Sequence, residues 1–277
     1  MITVVIIGGS QPEMKEFVLK SREMVEEKLT FHVFDTAENI GDDDLWSYHH
    51  AASDEDMAND AVKFVRDGHA DILVKGIVST RTVLKAVLNK EHSLKDQDVL
   101  SHIAMIHMTK LNRPVLLTDA AMNITPDKDT LVQIINNAIE AGHNTGMTKP
   151  KVALLSAAEN INPKMPSSVL GQELSQAFEN RDDAIVYGPL SFDLAMSKEA
   201  VEHKRFEGPI AGDADILVVP SIDVGNVLYK SLILFADAIM GGIIMGTSAP
   251  IVLTSRADAI ESKVVALKLA ISQLKKA

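Results

Sequence analysis

The sequence predicts an α/β fold of two domains, with a mostly parallel sheet and helices on both of its faces. Three observations carry this. Short apolar runs alternate with longer segments of helical periodicity along the whole chain. Several of the runs, such as 4–7 and 152–155, are apolar at every position, as strands covered on both faces are. Polar and basic residues recur where a run stops and the next helix begins, which is where open α/β sheets bind ligands.

The elements follow in order. Residues 4–7 form a strand that stops at Gly8-Gly9. Residues 12–28 carry mixed charge around Phe17, Val18 and Val25 and read as a helix. Residues 31–34 are a second strand. The acidic stretch 39–53, with Trp46 and Tyr48, has no clean period and reads as a surface excursion. A helix over 56–67 turns Val62 and Val65 inward, and Gly68 ends it. The strand over 72–74 leads through Lys75-Gly76 to a helix capped by Ser79 or Thr80, with Val83, Leu84, Val87 and Leu88 on one side. Strands are expected at 103–106, 115–117, 152–155, 184–187 and 216–219, and helices at 130–141 and 167–180. After Pro220 a polar loop reaches Gly225-Asn226, where a helix is expected to start. Strands over 242–245 and 251–254 follow. The last helix, 258–275, places Ile260, Val264, Leu267, Ile271 and Leu274 at spacings of three and four, the clearest helical period in the chain.

Composition narrows the function. The 277 residues suffice for one large domain or two moderate ones. With 46% hydrophobic but only 4% aromatic residues, the core is aliphatic. The formal net charge of −11 argues against a nucleic-acid partner. No cysteine is present, which excludes disulfides, thiolate metal sites and an acyl-cysteine intermediate, and fits a cytoplasmic protein. The first ten residues lack the basic and apolar regions of a signal peptide. Residues 231–253 are apolar, but Asp237, Gly241-Gly242 and Pro250 interrupt them, so a membrane span is not expected. Neither a dinucleotide fingerprint nor a P-loop occurs, and G-x-S-x-G is absent. His102 and His107 face opposite sides of one strand, and His49-His50 read as surface residues, so no metal site is expected.

Three stretches carry candidate chemistry. In the first, Lys75, Ser79, Thr80 and Arg81 cluster between a strand end and a helix start, with Lys85 one turn beyond Arg81. Hydroxyls, free N–H groups and cations suit a phosphate or carboxylate. The plainer reading is a capped helix with a solvated basic face. In the second, Gly225 and Asn226 would let a ligand approach the backbone, and Lys230 would reach a phosphate. An ordinary turn and cap is the plainer reading. In the third, Ser255 is a hydrogen-bond donor, Arg256 is a bidentate anion binder, and Asp258 or Glu261 is a base. Here capping-box spacing is the competing explanation.

Together these stretches resemble the phosphate acetyl/butyryl transferases, most closely the butyryl branch. The resemblance rests on V-K-G-I-V-S-T and L-K-A-V-L-N-K-E-H within 74–92, and on G-P-L-S-F-D-L-A at 188–195. It continues through A-G-D-A-D-I-L-V-V-P and G-N-V-L-Y-K-S-L within 211–232, and A-P-I-V-L-T-S-R-A-D at 249–258. It implies an isocitrate/isopropylmalate dehydrogenase-like fold, with residues 1–97 and 252–277 in a first domain and 98–251 in a second. It implies an active site between them and a homodimer. The implied reaction is acyl-CoA + phosphate = acyl phosphate + CoA, with a butyryl or branched short-chain acyl group. Coenzyme A is then a substrate, inorganic phosphate the other, and neither a permanent cofactor nor a metal is implied. The family's serine-arginine pair maps onto Ser255 and Arg256, and Asp258 is the preferred carboxylate. Where the family commonly has L-R-A, this chain has Leu84-Lys85-Ala86, which keeps the charge and loses the bidentate fork. Arg81 is the candidate substitute. The competing functions are a phosphate acyltransferase that uses acyl carrier protein and a non-catalytic CoA-binding regulator.

Overall fold

The computed structural model describes residues 1–38, 40–92, 94–254 and 258–274. The chain divides into two compact units, Met1–Leu100 with Gly241–Ala277, and Ser101–Met240.

The first unit opens with β1 (Ile2–Ile7), α1 (Pro12–Met24), β2 (Leu29–Asp35), β3 (Ser47–His50), α2 (Asp54–Arg66), β4 (Ile72–Lys75) and α3 (Thr80–Val87). The chain then forms β5 (Ser101–His107), β6 (Val115–Thr118), α4 (Lys128–Asn144), β7 (Lys151–Leu155), α5 (Pro166–Ala177) and β8 (Ile185–Leu190). The second unit continues with α6 (Phe192–Met196), α7 (Lys198–Lys204), β9 (Ile216–Val218) and α8 (Ile222–Ala236). β10 (Ile239–Met245), β11 (Ile251–Val252) and α9 (Ile260–Ser272) follow.

In the first unit the strand order is β3-β2-β1-β4-β11-β10, parallel except for β10 against β11. Val4 to Ile7 are all fully buried. Successive side chains of a strand point to opposite faces, so both faces of this sheet are covered. α1 packs with α9, and α2 with α3. The second unit has the order β5-β6-β9-β7-β8, parallel except for β5 against β6. Its core is aliphatic, built on Leu117, Ala153, Leu190, Leu217 and Met240.

Several expectations shift. Residues 47–50, read as a surface excursion, are an edge strand paired in parallel with β2. His49 is not a free surface residue: its ring stacks on Phe34 at 4.3 Å, and its Nε2 lies 3.0 Å from Nδ1 of His32. An edge strand is held by one neighbour, which its own sequence does not show. α1 stops at Met24 because Val25 is extended and buried, already turning toward β2. α3 buries Val83, Ala86 and Val87, while Leu88 is exposed beyond the helix end. The short helices α6 and α7 break on Ser197, whose side chain accepts from the N–H of Ala200 and caps α7. The division between units places residues 241–251 with the first unit, where β10 pairs with β11, and residues 98–100 also fall there.

Candidate active site

The first cluster lies at the carboxyl ends of β4 and β11. Gly76 follows β4 with no room for a side chain: a Cβ there would lie 2.4 Å from the carbonyl oxygen of Gly8. The N–H groups of Gly76 and Ile77 donate to the oxygens of Ile7 and Gly8 at 2.9 and 2.7 Å, so the ends of β1 and β4 are locked together. This delivers the chain to α3 on rigid backbone. Ser79 is the residue that caps α3, accepting from the N–H of Thr82 at 3.0 Å. Thr80 and Arg81 are exposed on the first turn.

The candidate cations of this cluster have different surroundings. Lys85 is exposed and forms an ion pair with Glu55 of α2. The two face a cleft of about 350 Å³, also lined by Asn59, Thr82, Leu88 and Asn89. His92 is buried beside Asn59, with Nε2 2.9 Å from its Oδ1, and burial lowers the pKa of this imidazole. An anion at Lys85 therefore competes with a carboxylate already in place. Lys75 is only 3% exposed. Its ammonium donates to the carbonyl oxygens of Thr254 at 3.0 Å and Gly76 at 3.3 Å, and so bridges the ends of the two strands.

Ser255 and Arg256 lie outside the described residues. Thr254, immediately before them, is buried. Asp258, after them, is partly buried, and its backbone oxygen accepts from Nζ of Lys263. α9 begins at Ile260 with Ala259 at its cap position, so Asp258 precedes the helix instead of opening it.

The second cluster lies at the carboxyl ends of β6 and β9. The helix expected to start at Gly225-Asn226 begins three residues earlier: α8 opens at Ile222, with Ser221 in extended conformation at the cap position. The glycine serves a close approach. A Cβ on Gly225 would lie 2.7 Å from the oxygen of Asp119 and 2.9 Å from Cα of Ala120. The N–H of Ile222 donates to Ile124 O at 3.0 Å, so α8 sits directly on the segment after β6. Lys230 is exposed further along the helix.

That segment is organised by a residue that the motifs did not single out. Asp119 is 3% exposed. Its Oδ1 accepts from the N–H groups of Ala121 and Met122, both at 2.9 Å. Its Oδ2 accepts from Nδ2 of Asn123 at 2.6 Å. The signal was an aspartate directly after the apolar run V-L-L-T, where a strand ends and a turn needs an acceptor. Lys263 was missed as well. Its place among Ile260, Val264 and Leu267, on the apolar stripe of the last helix, marks it as a charge facing inward. Among the described residues no group of three or more histidines and carboxylates is placed to hold a metal ion, and no helix is long and apolar enough to cross a membrane.

Residues 36–271 match the family model described as phosphate acetyl/butaryl transferase. A probable phosphate butyryltransferase of Bacillus subtilis (strain 168) is 45% identical over 224 residues, which are 80% of this chain and 75% of that protein. The crystal structure of a branched-chain phosphotransacylase from Enterococcus faecalis V583 superposes with a TM-score of 0.95 at 53% identity, covering the whole of both chains. A β-decarboxylating dehydrogenase from Thermococcus kodakarensis shares the fold alone, with a TM-score of 0.53 at 13% identity over 99% of this chain and 82% of that one. It agrees with the isocitrate/isopropylmalate dehydrogenase-like class. Motif order, strand-end chemistry and these likenesses converge: the chain belongs to the phosphate acetyl/butyryl transferase family and is a phosphate acyltransferase.

Proposed function

We propose that this enzyme moves a short acyl group, butyryl or branched, between coenzyme A and inorganic phosphate. The observation that carries the reading is full-length similarity to a protein named for branched-chain phosphotransacylation, in a chain whose sequence carries the S-R-A-D stretch at 255–258. Phosphate oxygen attacks the thioester carbonyl. The acyl carbon gains a bond to that oxygen, its bond to sulfur breaks, and CoA leaves as a thiolate that takes up a proton. Coenzyme A enters and leaves as a substrate, so no permanently bound cofactor takes part.

In this reading Arg256 holds phosphate or the developing oxyanion, and Ser255 donates to the same charge, as donors aimed at a transition-state oxygen do. Asp258 exchanges the proton with the CoA sulfur. Ser79, Thr80, Arg81 and Lys85, together with Gly225, Asn226 and Lys230, bind phosphate or the phosphates of CoA. Gly225 contributes by letting α8 sit close to Asp119, and Asn226 by its place on the first turns of that helix.

The reading extends to a homodimer in the cytoplasm. α8 turns Leu228, Tyr229, Leu232 and Ile233 onto the core of its own unit. Val227, Leu234 and Phe235 are 66%, 70% and 86% exposed. Such an apolar stripe on a helix fits a second copy of the chain.

The test is a panel of acyl-CoA thioesters assayed for CoA release with and without phosphate, without added metal. Release that requires phosphate and is fastest with butyryl- or branched acyl-CoA is expected. Release at the same rate without phosphate would mean a thioesterase. Activity only with carrier-bound acyl groups would move the substrate to acyl carrier protein.

A further inference from the structure

Two lysines of the first unit are almost wholly buried, each 3% exposed: Lys75 at the end of β4 and Lys263 in α9. Each donates to a backbone oxygen next to one short piece of chain, Lys75 to that of Thr254 and Lys263 to that of Asp258. Lys75 donates to Thr254 O at 3.0 Å and Gly76 O at 3.3 Å. Lys263 donates to Asp258 O and forms an ion pair with Glu13 of α1 at 2.8 Å. The β4–β11 ladder ends at the pairing of Val74 with Val252. The Lys75 side chain continues the connection past that end, to Thr254.

Burying an ammonium group is costly unless its protons are taken up. A methionine would fill either space without that cost, so packing alone does not account for two buried charges. An ammonium has three donors and no acceptor. Set against backbone oxygens, it fixes where a strand end and a helix approach lie.

We infer that Lys75 and Lys263 are positioning residues for acyl transfer, fixing the backbone at Thr254 and at Asp258, which bracket the stretch Ser255-Arg256-Ala257 in the sequence. This rests on the assignment of Ser255, Arg256 and Asp258 made above. It gives Lys75 a role different from direct phosphate binding. Lys75 touches the chain before the reacting pair, and Lys263 holds the residue proposed as the proton acceptor by its own carbonyl.

The experiment compares Lys75→Met, Lys263→Met and the milder Glu13→Gln with the unaltered enzyme, below the melting temperature of each. A displacement of about 1 Å at reacting groups costs about 100-fold in rate. The expected result for either lysine variant is therefore a turnover loss of about 10- to 100-fold, with Michaelis constants for phosphate and acyl-CoA within about twofold of the original. Glu13→Gln, which leaves the bond from Lys263 to Asp258 available, should lose less. Lys75→Ala should regain part of its turnover with added ethylamine, which can donate to both oxygens, and none with tetramethylammonium, which cannot.

Folded variants that melt earlier but turn over normally would overturn the inference, because the lysines would then be structural only. A raised Michaelis constant for phosphate at unchanged turnover would overturn it for Lys75 and make that residue a binding group. Should the Met variants fail to fold, Glu13→Gln and amine addition to Lys75→Ala decide the matter by the same criteria. Ser255→Ala and Arg256→Lys are run alongside. If these two lose turnover while the lysine variants keep it, the positioning role fails and the site assignment stands. If all of them keep it, the site assignment fails first and takes the positioning role with it.

Discussion

Arg256 and Lys85 are both cations of the proposed anion site, and they should respond differently to substitution. An ammonium cannot make the two parallel bonds of a guanidinium to one anion. Arg256→Lys is therefore expected to lower turnover by about 10²–10³-fold, the usual effect of losing one oxyanion donor. Steady-state kinetics at saturating substrate checks this, and near-normal turnover would remove Arg256 from the reacting set. Lys85 is held by Glu55 in a solvent-exposed ion pair, both side chains about two-thirds exposed. Exposed pairs contribute little, so Glu55→Gln should lower the Michaelis constant for the anionic substrate only about two- to fivefold. Lys85→Ala should raise it. A Michaelis constant indifferent to both changes would leave Lys85 as a solvated surface group.

At the scale of elements, α8 and β3 carry the next expectations. In an open helix Gly→Ala is stabilising by about 0.5–1 kcal/mol. Gly225→Ala should have the opposite sign, because its Cβ would press on the backbone of Asp119 and Ala120 at 2.7 and 2.9 Å. Overpacking against backbone costs about 1–3 kcal/mol. Chemical denaturation gives the sign directly, and a stabilised Gly225→Ala would show that the contact yields freely. On β3, His49 pairs with His32 beneath Phe34 and Phe64, with His69 beside Phe64. Burial lowers the pKa of His32, as does repulsion from His49 and His69, while Asp42 raises it. Burial lowers that of His49, and Asp42 again opposes. Both rings are thus neutral in the fold at pH values where the unfolded chain already takes up protons. Their contribution to stability is intact above about pH 7 and falls as pH drops through about 6.5. The melting temperature should decline from pH 7.5 to 5.5. The decline should be smaller in His49→Gln, and an equal decline in both would place the acid sensitivity elsewhere.

At the scale of the whole molecule, the apolar face of α8 makes assembly testable. The protein is expected to have a dimer mass by light scattering at assay concentration. Leu234→Glu with Phe235→Glu should shift it toward monomer, since two charges would enter an apolar contact. A monomer mass for the unaltered chain would leave this stripe without the proposed partner.

The sequence by itself determined the class of fold, the order of most elements and the family. These depend on local period and on motifs contiguous in the chain. The runs at 4–7 and 72–74 read as buried strands because every side chain in them is apolar, and they are so. A cap read at Ser79 or Thr80 because capping is a contact between residues three apart, and Ser79 is the one that makes it. The tertiary structure decided what is made by residues far apart in sequence. β3 became a strand through its pairing with β2. Gly225, read as the start of a helix, lies inside that helix and meets Asp119, more than a hundred residues away. Lys75 belonged by sequence to a basic cluster that includes Arg81 and Lys85. Its ammonium instead meets Thr254, 179 residues along the chain. A charge's partner is set by which strand ends are brought side by side, and no local pattern encodes that.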